Sequence, residues 1–187
     1  MSTQIAALLR AAADRTVPLV EALPDGGLGA PTPCGEYDVR GLVRHLWQVV
    51  VNFRELAAKR EVDWSLPAPE LAGDWRGRFA ADTDALVAAW AEPGADEGTT
   101  GAMALPAVTV GGMVLLDLTV HGWDLARATG LPYGPAPEAV AALGPLTAEL
   151  APTARTMGMF DEPVGYSGDD PFAALLALTG RDAGRTA

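Results

Sequence analysis

The run Met113-Val114-Leu115-Leu116-Asp117-Leu118-Thr119-Val120-His121-Gly122-Trp123-Asp124-Leu125-Ala126 is apolar at most positions, yet it holds two aspartates and His121, one of only two histidines in the chain. Its length and composition predict a helix, in which successive residues turn by about 100°. Asp117 and His121 then lie roughly 40° apart, and Asp124 falls about 20° beyond Asp117 on the other side, so all three share one face. Two carboxylates on so apolar a face bear a large desolvation cost unless a cation, a donor network or a water-filled cleft compensates them. The run therefore marks a helix and the place to look for chemistry.

Working outward, the pattern stops at Gly130 and Pro132, in the order that ends a helix, and the fourth helix of the chain is predicted over 110–129. A first helix, bent at Pro18, is expected over 3–23, where Ile5, Leu8, Leu9, Ala12, Val17, Leu19, Val20 and Leu23 recur at helical spacing. After a glycine- and proline-dense loop over 24–35, Asp38 offers the N-cap of a second helix reaching about Ala58, with His45 at the edge of its apolar stripe. A third helix is expected over 71–91, carrying Trp75, Phe79, Leu86, Val87 and Trp90. Residues 98–110, rich in Thr and Val with Pro106 inside, read as an extended connection. Pro137-Glu138 opens a fifth helix through Leu143, Leu146 and Leu150 as far as Met159, made irregular by Gly144-Pro145 and Pro152. A short helix over 171–178 is capped at Gly180. The simplest architecture that buries these stripes is an all-α bundle of four longer helices with a short C-terminal helix, one domain over 1–187.

Composition agrees with an ordinary globular domain: 187 residues, 49% hydrophobic and 20% charged. Thirteen Lys and Arg against 24 Asp and Glu leave a net charge of −11. With no clustered basic patch, that charge argues against nucleic acid and anionic membrane surfaces as partners. Cys34 is the only cysteine, which excludes an intrachain disulfide and any site built on paired thiolates. The start, Met1-Ser2-Thr3-Gln4-Ile5, lacks the basic segment and cleavage site of a signal peptide, and no apolar run approaches the roughly 20 residues of a membrane helix. A cytoplasmic protein is expected.

An aspartate and a histidine spaced i to i+4, as Asp117 and His121 are, project together from a helix, the way helical bundles present ligands to an ion. A third ligand must come from elsewhere, and His45 is the only other imidazole. Two His and one carboxylate suit Zn²⁺, Ni²⁺, Fe²⁺ or Mn²⁺ and leave coordination positions open, as a reactive site requires. Asp124 would then accept the free N–H of a ligating imidazole and fix its tautomer. A plainer reading stands beside this one: a lone histidine on an apolar face is more often a satisfied core residue, and the i to i+4 pair is common. Cys34 reads as a small buried hydrophobe in a loop, since nothing basic adjoins it to lower its pKa. Trp47 and Trp123 read as core or cleft-wall residues, and Gly26-Gly27-Leu28-Gly29 lacks the preceding strand and following Lys of a phosphate loop.

Three segments then bear together on family. Thr32-Pro33-Cys34-Gly35-Glu36-Tyr37-Asp38-Val39-Arg40-Gly41-Leu42-Val43-Arg44-His45-Leu46 resembles the opening of the DinB-like branch that includes the metal-binding domain of mycothiol-dependent maleylpyruvate isomerase. The stretch from Asp117 to Gly130 resembles its second signature, and Leu178-Thr179-Gly180-Arg181-Asp182 its ending. The resemblance implies a four-helix up-down-down-up bundle, often dimeric, holding a divalent metal by His45, Asp117 and His121. The isomerase-like relatives carry Glu where this chain has Asp117. The resemblance also implies thiol chemistry, with zinc the first choice of metal and mycothiol the co-substrate: the metal lowers the pKa of a bound low-molecular-weight thiol, which attacks an electrophile. The expectation is a thiol-dependent transferase or isomerase-like enzyme. The alternatives are a non-catalytic helical module and a metal-assisted hydrolase using the same residues.

Overall fold

The computed structural model describes residues 3–184 and is mostly helical, with one small antiparallel sheet. In chain order the helices are α1 (Gln4–Glu21), α2 (Val39–Ala57), α3 (Trp75–Ala91), α4 (Ala107–Thr129), α5 (Pro137–Thr156) and α6 (Pro171–Leu178). Side-chain caps set several starts. Thr3 accepts from the Ala6 amide, Asp38 from Gly41, Asp74 from Gly77 and Asp170 from Phe172, each satisfying an otherwise orphaned helical N–H.

α1 and α2 each pack against both α3 and α4, so the four helices alternate around a common core with α1 diagonal to α2. Their relative directions follow from who meets whom. Thr3 donates to the Trp90 carbonyl while Arg76 donates to that of Leu23, so α1 and α3 run antiparallel. Trp47 meets Phe79 and Lys59 donates to the Ala95 carbonyl, so α2 and α3 run the same way. Thr16 donates to the Leu118 carbonyl, and Ile5 lies against Gly111, so α1 and α4 run the same way. Leu9, Leu42, Leu46, Phe79, Leu86, Trp90, Leu115, Leu118 and Leu125 fill the space between them and are essentially inaccessible. Burying such side chains contributes about 1.5–3 kcal/mol each.

Three expectations need correction. The 71–91 helix starts at Trp75, because Asp74 takes the capping role and the residues before it are held as loop by Arg78, which donates to the Glu70 and Ala72 carbonyls. Residues 98–110 are not merely extended: β1 (Thr99–Thr100) and β2 (Leu105–Pro106) pair as a two-stranded hairpin, and α4 begins directly after it, at Ala107. α5 is a fifth long helix, and it is continuous through Pro145 and Pro152 but ends at Thr156. Gly144, with no Cβ, relieves the crowding that a proline imposes on the residue before it. α1 runs without interruption from Gln4 to Glu21, with Pro18 in its last turn. α5 and α6 pack against each other, and α5 lies against α4 and α1. Among the described residues no helix is long and apolar enough to cross a membrane.

Candidate metal centre

α2 and α4 carry the two histidines to one place. Asp38 starts α2 so that His45 falls in its second turn, while His121 lies in the C-terminal half of α4. The rings meet edge to face with centroids 5.3 Å apart. Nε2 of His121 lies 3.7 Å from Oδ1 of Asp117 one turn earlier, longer than a hydrogen bond. One ring nitrogen from each histidine and one Asp117 oxygen all lie within 4.8 Å of one another. Three groups able to donate a lone pair thus lie close enough together to share one ion. Tyr37, from the α1–α2 connection, stacks on His45 with its ring centroid 5.1 Å away.

The electrostatics of this triple favour a cation. Burial, with the neighbouring His121 second, pushes the His45 pKa down to about 4, so its imidazole is neutral at pH 7, the form that ligates. Burial pushes the Asp117 carboxyl up, against the pull of His121 and Arg181. Its side chain keeps 29% exposure, so the site is reachable. The penalty Asp117 carries is the one that a divalent ion beside it would offset.

On the opposite side of the His121 ring, Nδ1 lies 3.0 Å from Oδ2 of Asp124, which is 0% exposed. Arg181, three residues beyond α6, reaches the same carboxylate: its Nε donates to Oδ1 at 2.8 Å and to Oδ2 at 3.0 Å, and a terminal nitrogen donates to Oδ2 at 2.8 Å. Burial alone would raise the Asp124 carboxyl, but the bonds from His121 and Arg181 outweigh it and hold the group below its ordinary value.

A second triple, Cys34 with His121 and Asp124, is equally compact. It is the poorer cation site, because Asp124 is already committed to Arg181 and an added ion would meet the guanidinium. Burial pushes the Cys34 thiol up despite Arg181, so it is not an activated thiolate. The reading that nothing basic adjoins Cys34 is corrected here, since Arg181 does.

The structure therefore brings His45, Asp117 and His121 together and sets Asp124 behind His121. Sequence reasoning missed Arg181, whose only signal was its place in the Leu178–Asp182 segment; no local periodicity pairs residue 181 with residue 124. Trp47 is buried and donates its indole N–H to Asp82, and Trp123 is half-buried with the Arg127 guanidinium over its ring.

Residues 9–126, which include all four expected site residues but not Arg181, match the family model of the mycothiol maleylpyruvate isomerase N-terminal domain. Two uncharacterized proteins of Mycobacterium tuberculosis, one from strain CDC 1551 / Oshkosh and one from strain H37Rv, are each 32% identical over 162 residues, covering 82% of this chain and 85% of their own. No solved structure matches. With the family model spanning most of the chain and these relatives spanning more, the chain belongs to the mycothiol maleylpyruvate isomerase N-terminal domain family.

Proposed function

We propose that this chain is a divalent-metal-binding enzyme of thiol-transfer type, with His45, Asp117 and His121 as the protein ligands, zinc as the metal and a low-molecular-weight thiol of the mycothiol class as co-substrate. The observation that carries this reading is the convergence of the chain's only two histidines with Asp117, all within 4.8 Å, in a protein of this family. We further read the alternating helices as one domain, an up-down-down-up four-helix bundle of DinB-like type, with the site near one end of it.

A bound divalent cation would lower the pKa of a coordinating thiol and so supply a thiolate near neutral pH. The chain's own residues do the rest. His45, kept neutral by burial, and His121 present ring nitrogens, and Asp117 brings one negative charge that lessens the net positive charge of the site. Three protein ligands leave positions open for the thiol. Tyr37 packs over His45 and narrows the approach from the α1–α2 connection. In the transfer, the thiol proton would pass to solvent, the thiolate sulfur would bond to the electrophilic carbon, and the electron pair of the bond broken there would depart with the leaving group.

The test is elemental analysis of protein purified without added metal, beside His121→Ala. Stoichiometric metal in the wild type and its loss from the variant are expected. Equal metal in both would remove the site assignment, and a metal-free wild type that chelators leave unchanged in melting temperature would instead indicate a helical module without a metal.

A further inference from the structure

The three hydrogen bonds from Arg181 to Asp124 do more than pair two charges. A guanidinium carries five N–H donors and no acceptor, so every group it bonds must accept. Both Asp124 oxygens accept from Arg181, at 2.8 to 3.0 Å, and the remaining Arg181 nitrogen donates to the Thr179 carbonyl at 3.2 Å. Asp124 is thereby held as an acceptor. The contact 3.0 Å away at His121 Nδ1 must then carry its proton on the histidine. With Nδ1 committed to Asp124, Nε2, the nitrogen turned towards Asp117, is the one whose lone pair can serve a ligand.

The local backbone is built to deliver this side chain. α6 ends in a Schellman motif: the Gly180 amide donates to the Ala177 carbonyl and the Arg181 amide to that of Leu176. Gly180 has φ +86°, a conformation that suits glycine, and a Cβ there would also meet Asp161 Cβ at 2.5 Å. The turn reverses the chain after α6 and sends Arg181 back to α4.

We propose that Arg181 is a positioning residue of the candidate metal site: by holding Asp124 as an obligate acceptor it sets His121 in the Nδ1–H tautomer and leaves Nε2 free to ligate. The C-terminal segment, outside the part that matches the family model, thus completes the site. The proposal rests on the metal-site reading for its purpose, but its first test requires no metal.

That test is the ¹⁵N spectrum of imidazole-labelled, metal-free protein, in which two histidines give two rings and His45→Gln assigns them. Wild-type His121 is expected as Nδ1–H. Arg181→Gln, whose amide can both donate and accept, should return His121 to a tautomer mixture and weaken binding of Zn²⁺ alone, read by competition with a chromophoric chelator, by about 10 to 100-fold. Arg181→Lys, a donor without an acceptor, should keep the tautomer and lose only part of that affinity. An Nε2–H ring in the wild type, or an Arg181→Gln protein identical to wild type in tautomer, overturns the proposal. Should Arg181→Gln fail to fold, Arg181→Lys decides, and a Lys variant that has lost the Nδ1–H form overturns it. If the wild type binds no Zn²⁺, the metal reading fails while the tautomer result still decides the role of Arg181.

Discussion

His45 and His121 sit 5.3 Å apart, yet the fold treats them differently. His121 has one nitrogen committed to Asp124, whereas His45 is flanked by the Tyr37 ring and made neutral by burial. The consequence for stability has a definite sign. The folded-state pKa of His45, about 4, lies below the ordinary 6.5, so between those values the unfolded chain binds the proton that the folded chain refuses. Stability from this group is complete above about pH 6.5 and declines as pH falls towards 4, by at most about 3 kcal/mol. Urea unfolding of metal-free protein at pH 7 and pH 4.5 should show wild type losing more stability than His45→Gln, and equal losses would refute the assignment. Asp117→Asn keeps the size of the side chain and removes its charge. It should weaken Zn²⁺ binding by about tenfold or more while sparing the melting temperature of metal-free protein. An unchanged zinc affinity would exclude Asp117 as a ligand.

At the scale of elements, α4 is where packing and chemistry meet. Gly122 follows His121, and a Cβ on it would come within 2.7 Å of the Tyr133 hydroxyl and 2.9 Å of Thr16 Oγ1. Those two hydroxyls bond α4 carbonyls, Thr16 that of Leu118 at 2.9 Å and Tyr133 that of Thr119 at 3.1 Å. The glycine lets α1 and the α4–α5 connection press against the turn that bears His121. Gly122→Ala removes the roughly 1 kcal/mol helix penalty of glycine but overpacks this contact, and a net loss of about 1–2 kcal/mol is expected by denaturant titration. A stabilised variant would show that the contact yields freely. α1 and α2 were legible in sequence because each buries a stripe repeating with the helical period, and α4 because its long apolar run ends at Gly130 and Pro132. The β1–β2 hairpin was not, because two-residue strands carry no periodicity, and the unbroken course of α5 was hidden by prolines whose lost amide bonds packing outweighs.

For the molecule as a whole, a ligand that binds only the native state raises its stability, by about 2.7 kcal/mol at one hundred times the dissociation constant. Zinc should therefore raise the melting temperature of wild type and leave that of His121→Ala unchanged; equal shifts in both would place the zinc elsewhere. Gly180→Val, with a β-branched side chain at positive φ and against Asp161, should reduce both stability and zinc affinity if the turn after α6 aims Arg181. Loss of stability at full zinc affinity would separate the turn from the site. The sequence by itself determined the helical class, the stripes that face the core and the candidates His45, Asp117, His121 and Asp124, because helical period and i to i+4 spacing are local properties readable along the chain. Only the tertiary structure decided that His45 crosses to His121, that Asp124 rather than Asp117 is the fully buried carboxylate, and that Arg181 neutralises it. Those are contacts between segments far apart in sequence, selected by the packing of whole helices and by the need to pair a buried charge.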